Sequence, residues 1–216
     1  FADLDGMADF APDVDVDTTM GFLEEAGRFM VEVLAPLNQV GDTQGSTRNS
    51  DGSITTPDGW AEAYRQYVEA GWPALDQPAR YGGQNLPMSI GTPIREMNGT
   101  ANWSWAMYPG LSHGAMETIE EHGSEEQKAI FMEPLVSGRW TGTMCLTESH
   151  CGTDLVLLKT KAEQSADVTY RITGSKVFIS SGEHDRAENI VHIVLARLPD
   201  SPPGTKGISL FIVPKF

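Results

Sequence analysis

The stretch Met144-Cys-Leu-Thr-Glu-Ser-His-Cys-Gly-Thr-Asp154 decides how this chain is read. It ends a β-type run over residues 141–147, and Gly152 then turns the chain toward a further strand over 159–163. Beyond it come alternating segments at 168–173, 176–180, 190–198 and 207–213, separated by turn signals at Thr173-Gly174 and Pro202-Pro203-Gly204. Upstream of it the apolar spacing is helical. Met20, Leu23, Phe29, Met30, Val33 and Leu34 form one stripe that opens at Asp17 and ends at Pro36. Residues 38–54 read as a loop. Thr56-Pro57 opens a second helix, whose stripe is Trp60, Ala63, Tyr64, Tyr67 and Val68 and which Gly71 closes. After a Pro- and Gly-rich ordered loop over 72–87, helices are expected at 89–107 and 112–122. Ser124 with Gln127 forms a capping box for a last helix to about Val136.

The expected fold is therefore α+β. An acidic leader (1–17, with six Asp and no Lys or Arg) precedes an all-helical domain (18–139), followed by an antiparallel β-barrel or sandwich domain (140–216).

Composition excludes several functions. The 216 residues carry 15 Lys+Arg against 30 Asp+Glu, a net charge of −15, so nothing supplies broad neutralisation of phosphates. Neither nucleic-acid binding nor polybasic membrane attachment is expected. No run of about 18 apolar residues predicts a membrane span, and no signal peptide opens the chain. The two cysteines, Cys145 and Cys151, do not make a disulfide framework, and His150 alone beside them does not make a metal site. No Gly-rich nucleotide fingerprint or phosphate-binding P-loop is present.

Two segments carry chemistry. In the first, backbone N–H groups at the Gly152 turn and the hydroxyls of Thr147 and Thr153 suit an anionic or carbonyl-rich ligand, with Met144 and Leu146 as an apolar wall. The same residues also suit a plain β-turn. A Ser149-His150-Asp154 triad is disfavoured, because sequence neighbours do not point at one another as a triad must. In the second, Lys176-Val-Phe-Ile-Ser-Ser-Gly182, Phe178 suits stacking on a planar ring and Ser180 a hydrogen bond to a ring heteroatom. A plain sandwich strand is the other reading.

Taken together, these segments resemble the flavin-binding middle domain of acyl-CoA dehydrogenases, whose usual forms are Thr-Glu-Pro…Gly-Ser-Asp and Trp-Ile-Thr-Asn-Gly. Gly71-Trp72 through Tyr81-Gly82-Gly83-Gln84, His122-Gly-Ser-Glu-Glu-Gln-Lys128 and Tyr170-Arg-Ile-Thr-Gly-Ser-Lys176 resemble further family motifs in the family's order. The likeness runs from about residue 20 to the end. Ser149-His-Cys-Gly-Thr-Asp154 and Ser181-Gly-Glu-His-Asp185 are similar to the 3-(methylthio)propanoyl-CoA dehydrogenase-like subfamily, although Ser149 stands where that subfamily has proline. The missing proline restores an N–H and frees φ at that place.

The resemblance implies an FAD-dependent enzyme that introduces a Cα–Cβ double bond into an acyl-CoA thioester. It places Met144, Leu146 and Thr147 at the flavin ring, and Gly152 and Thr153 at the cofactor pyrophosphate or the substrate's pantetheine arm. Phe178 and Ile179 would cover the ring in place of the usual Trp-Ile, and Ser180 would sit near N5 in place of Thr. It places Met107, Tyr108, Gly110 and Leu111 at the end of the acyl tail, where ordinary core packing is the other reading. Arg186 and Lys206 are the basic candidates for CoA phosphate. The catalytic base is a Glu of a C-terminal helical-bundle domain beyond residue 216, so no residue of this chain is assigned as catalytic, Glu148 included, and no turnover is expected of the chain alone. Electron-transfer flavoprotein as acceptor, a homodimer or homotetramer, and a cytoplasmic (bacterial) or mitochondrial matrix setting are also implied. Rival readings are an O₂-using oxidase or flavin monooxygenase of the same build, and a non-catalytic flavin- or CoA-binding module.

Overall fold

A computed structural model describes residues 14–166 and 169–216. Most of the expected leader, and Val168 of the expected strand at 168–173, lie outside these residues. The first helix, α1 (Val16–Phe29), is capped by Asp15 rather than Asp17. The backbone of Asp15 is extended and its carboxylate accepts from the Thr18 N–H at 2.7 Å, satisfying one of the donors left open at a helix start.

Pro36 does not end the helical run. The chain widens into a π-helical turn at Met30–Leu34 and continues as α2 (Ala35–Gln44), with Pro36 in the first turn of the new segment. A proline lacks the N–H that the helix interior requires, and a widened turn just before it accommodates that loss. Residues 38–44, expected as loop, are therefore helical. A short hairpin of β1 (Thr47–Arg48) and β2 (Ile54–Thr55) follows. Helix α3 (Trp60–Glu69) starts later than Thr56-Pro57, because Thr56 is committed elsewhere: its N–H and hydroxyl both donate to Asp185, at 3.2 and 2.7 Å.

The expected helices at 89–107 and 112–122 are instead α4 (Met88–Ala101) and α5 (Trp103–His122). The break falls at Asn102, whose buried side chain accepts from the Trp105 N–H and caps α5. Pro109 is carried inside α5 at the loss of one backbone bond. Helix α6 (Glu125–Val136) begins with the reciprocal Ser124–Gln127 box. The left-handed Gly138 then turns the chain into the sheet.

The sheet comprises β3 (Trp140–Cys145), β4 (Lys161–Gln164), β5 (Tyr170–Thr173), β6 (Asn189–Arg197) and β7 (Ile208–Pro214). Antiparallel pairing, expected throughout, holds for β4 with β5 and β6 with β7. β3 runs parallel to β6, with Trp140 opposite Asn189 and Cys145 opposite Val194, and β4 meets the same edge of β6 farther along, Lys161 opposite Arg197. The sheet is thus mixed. The long excursion between β3 and β6 makes a parallel pair possible, since only antiparallel neighbours can be joined by a tight hairpin. The strand expected at 176–180 does not form: Phe178 (φ 55°) and Ser181 (φ 60°) are left-handed, which breaks a pleat.

Two cores hold these parts. Trp60, Tyr64, Tyr67, Trp72 and Trp105 fill the centre of the helical part, with the Trp105 indole donating to the Trp60 carbonyl. Met116, Ile119, Met132, Leu135 and Val136 of α5 and α6 pack on Val191 and Ile193 of β6. Contact between α5 and β3 is close enough that a Cβ on Gly142 would lie 2.4 Å from that of Ala115, and the Gly142 N–H donates to the Ser112 hydroxyl at 3.0 Å. The end of β3, where the decisive stretch begins, is thereby fixed against a helix.

Candidate functional site

Beyond Cys145 the chain makes a two-residue turn. The Glu148 N–H donates to the Cys151 carbonyl (2.8 Å) and the Cys151 N–H to that of Glu148 (3.1 Å). The Glu148 carboxylate is buried beneath this turn and fully engaged. It accepts from the Lys159 N–H (2.8 Å), the Thr160 N–H (2.9 Å), the Thr160 hydroxyl (2.6 Å) and the Lys176 ammonium (2.9 Å). Burial alone would raise its pKa, but these donors outweigh burial and hold it down at about 2.

The second segment arrives alongside. Lys176 Nζ also donates to the Leu146 carbonyl at 3.1 Å, and the Val177 N–H donates to the Thr147 carbonyl at 3.0 Å. Residues 144–147 and 178–180 are therefore brought to one edge. Phe178 stands 91% exposed there and Met144 is exposed too. A Cβ on Gly152 would sit 3.3 Å from the Thr147 methyl, so this glycine keeps the turn close to Thr147. Gly152 is half-buried, Thr153 and Ser180 are exposed, and Leu146, Thr147 and Ile179 are half-buried.

The Ser149-His150-Asp154 combination does not assemble. His150 Nε2 bonds the Leu157 carbonyl, and Asp154 accepts from the Val156 N–H. Glu148, His150 and Cys151 do bring three potential metal-ligand atoms within 4.8 Å of one another. The carboxylate's oxygens are already taken, however, and the Lys176 ammonium opposes a cation there.

Of the expected acyl-tail residues, Met107, Gly110 and Leu111 line a cavity of about 350 Å³ between α4, α5 and the 72–76 loop. Its walls are mainly apolar, with one polar corner of Asp76, Arg95 and His113. Burial would raise the Asp76 pKa, but hydrogen bonds from His113 and Arg95 hold it well below the usual carboxylate range. Tyr108 does not line this cavity. Its ring packs edge-on to His184 and lies under Arg186.

Arg186 is not presented to a phosphate. Its side chain is boxed by Tyr108, Trp60 and Trp105, with Cζ at 3.0, 5.1 and 5.9 Å from the ring centroids. Its three nitrogens are buried and find no acceptor among the described residues. Burial lowers its pKa to about 10, against the opposing pull of Tyr108. Lys206 is exposed in a short turn before β7.

The segment 183–188, singled out for its motif, works as a junction between the two parts. Glu183 pairs with Lys215, His184 with Thr141, Asp185 with Thr56, and the Glu188 N–H donates to the Arg139 carbonyl. The His184 imidazole accepts the Arg186 N–H at Nδ1, so Nε2 carries the proton toward Thr141. Burial, helped by the Arg186 charge, lowers its pKa to about 4.

Sequence reasoning missed the Glu148–Lys176 pair, the Arg186 box and the Asp76–Arg95–His113 corner. Each joins residues far apart in the chain, and no local pattern announces such partners.

The edge formed by residues 144–147, 152–153 and 178–180 fits a large planar cofactor such as FAD. It offers an exposed aromatic ring, an apolar wall and neighbouring hydroxyls, and its two segments are tied by the Val177–Thr147 and Lys176–Leu146 bonds. The left-handed Phe178 and Ser181, and the buried Ser181 hydroxyl with no hydrogen-bond partner among the described residues, mark it as a shaped loop.

Comparison with known proteins agrees. The family model "Acyl-CoA dehydrogenase, N-terminal domain" matches residues 17–139, and "Acyl-CoA dehydrogenase, middle domain" matches 143–216. The chain is 45% identical to the 3-methylmercaptopropionyl-CoA dehydrogenase of Ruegeria pomeroyi over 94% of its own length and 34% of that protein. It superposes on the butyryl-CoA dehydrogenase of Megasphaera elsdenii with a TM-score of 0.75 at 26% identity, covering 94% of this chain and 50% of that one. The acyl-CoA dehydrogenase of Bacillus anthracis complexed with FAD gives 0.72 at 26% identity, covering 95% and 32%. The chain thus spans about a third of the length of the curated relative. With both family models matched in order along nearly its whole length, this chain belongs to the acyl-CoA dehydrogenase family.

Proposed function

We propose that the full-length protein is an FAD-dependent acyl-CoA dehydrogenase and that this chain supplies one wall of its flavin site and the floor of its acyl pocket. The observation that carries the reading is the juxtaposition of two motifs about thirty residues apart, joined by the Val177 N–H and the Thr147 carbonyl at 3.0 Å. On this reading Met144, Leu146, Thr147, Phe178, Ile179 and Ser180 border the ring. Gly152 and Thr153 lie along the pyrophosphate or the pantetheine arm.

Held by these residues, FAD would supply the acceptor for a hydride from Cβ of the substrate. The chain's own residues bind and orient. The cavity beside Met107, Gly110 and Leu111 holds an acyl tail of modest length, and its apolar walls exclude water from it. Glu148 does not take the α-proton, because four donors already occupy its carboxylate. The family resemblance puts the base on a Glu beyond residue 216.

The finer parts of the proposal are 3-(methylthio)propanoyl-CoA or a fatty acyl-CoA as substrate and electron-transfer flavoprotein as acceptor. A homodimer or homotetramer and a cytoplasmic setting complete it. The 45% identity to the Ruegeria enzyme supports the first of these substrates. Among the described residues no helix is long and apolar enough to cross a membrane.

The test is Ser180→Ala in the full-length protein. Loss of the hydroxyl at the ring is expected to weaken FAD binding several-fold or to shift the flavin potential. Unchanged affinity together with unchanged potential would contradict the placement.

A further inference from the structure

Glu148 and Lys176 are a buried ion pair, with side chains 4% and 11% exposed and Nζ 2.9 Å from Oε1. Pairs this buried are costly to desolvate and persist where geometry and extra hydrogen bonds repay the cost. Here both ends make extra bonds, most of them at Glu148. Glu148 gathers the Lys159 and Thr160 N–H groups that open the approach to β4, while Lys176 reaches across to the Leu146 carbonyl. One residue farther along each segment, the Thr147 carbonyl receives the Val177 N–H. The pair therefore sits directly behind the two segments that carry the ring-bordering residues, and neither charge reaches the exposed edge.

We propose that Glu148 and Lys176 are positioning residues for the cofactor. The pair sets the spacing between residues 144–147 and 178–180, and so the width of the slot that receives the flavin ring. This rests on the flavin placement given above. Glu148 acts as the anchor, and Lys176 as the tie that carries its position to the opposite segment. The left-handed Phe178 follows two residues later and depends on that tie for its placement. A purely structural pair would change stability alone. A positioning pair changes how the ring is held in a protein that still folds.

The experiment uses the full-length protein with Lys176→Met, Lys176→Arg and Glu148→Gln. The readouts are FAD affinity of the apoprotein, the visible circular dichroism of bound flavin, and hydrogen exchange at the Val177 amide. Lys176→Met is expected to weaken FAD binding at least tenfold, to alter the flavin dichroism and to speed exchange at Val177. Lys176→Arg restores part of each. Glu148→Gln, which removes the charge and keeps one acceptor oxygen, for the Thr160 donors or for the Lys159 N–H but not for both, shifts the same readouts in the same direction and guards against a Lys176→Met variant that does not fold. Folded variants with wild-type FAD affinity and dichroism overturn the proposal and leave the functional reading standing. A wild-type protein that binds no FAD overturns the functional reading, and this proposal with it. Unchanged exchange at Val177 overturns the tie whatever the cofactor does.

Discussion

Replacing Arg186 with leucine should stabilise this chain. The guanidinium is buried, its three nitrogens find no geometrically sound hydrogen-bond acceptor among the described residues, and its charge is offset by the faces of Tyr108, Trp60 and Trp105, with a smaller pull from the Tyr64 and Asp185 oxygens. Its pKa falls from 12.5 to about 10 because burial disfavours the cation. At about 1.4 kcal/mol per tenfold change in proton affinity, that is a penalty of roughly 3 kcal/mol. The unfolded chain binds the proton more tightly than the folded one. The penalty is therefore present in full at neutral pH and shrinks only as pH rises through about 10. Leucine gives up ring attraction of up to about 2 kcal/mol but keeps apolar contact with the same rings and removes the unpaired charge. A net gain of about 1–2 kcal/mol corresponds to a Tm increase of roughly 2–8 °C for a chain of this size. Thermal unfolding followed by far-UV circular dichroism and calorimetry measures it, with Arg186→Met as an uncharged, more flexible control. A lower Tm in both variants would refute the argument and show that the aromatic box repays the buried cation in full.

Two further outcomes follow from the packing between helices and sheet. Gly142→Val places its Cβ 2.4 Å from that of Ala115 and should separate α5 from β3, costing about 3 kcal/mol, read as a lowered urea midpoint. His184 is held neutral, its pKa lowered from 6.5 to about 4 by burial and by Arg186, so the unfolded chain takes up a proton first as pH falls. Stability should therefore drop between about pH 6.5 and 4, and His184→Gln should flatten that part of the profile in pH-dependent denaturant unfolding.

What was legible in the sequence was the local grammar. The Ser124–Gln127 box, the stripe through Trp60, Tyr64 and Tyr67 and the β-type run before Glu148 all lie within a few residues of their causes. The breaks were misplaced where a distant group decides them. Asp185 takes the Thr56 that would have started α3, and the helix break falls at Asn102, whose amide also reaches the Leu34 carbonyl, rather than near Pro109. The parallel β3–β6 pairing was invisible because register between strands more than forty residues apart leaves no periodic trace. At the site, the residues that face outward were readable from motifs. The pair that holds them from behind was not, since Glu148 and Lys176 meet only after the 149–175 excursion has folded back.

The central claim is that the exposed edge at Thr147, Phe178 and Ser180 is one wall of a flavin site in an acyl-CoA dehydrogenase. Anaerobic titration of the full-length protein with 3-(methylthio)propanoyl-CoA and with short fatty acyl-CoA thioesters tests it most directly. The account predicts that the purified protein carries FAD and that its visible flavin absorbance bleaches as acyl-CoA is added. A protein that binds FAD but keeps its oxidised spectrum with every thioester, or that binds no FAD at all, would contradict it.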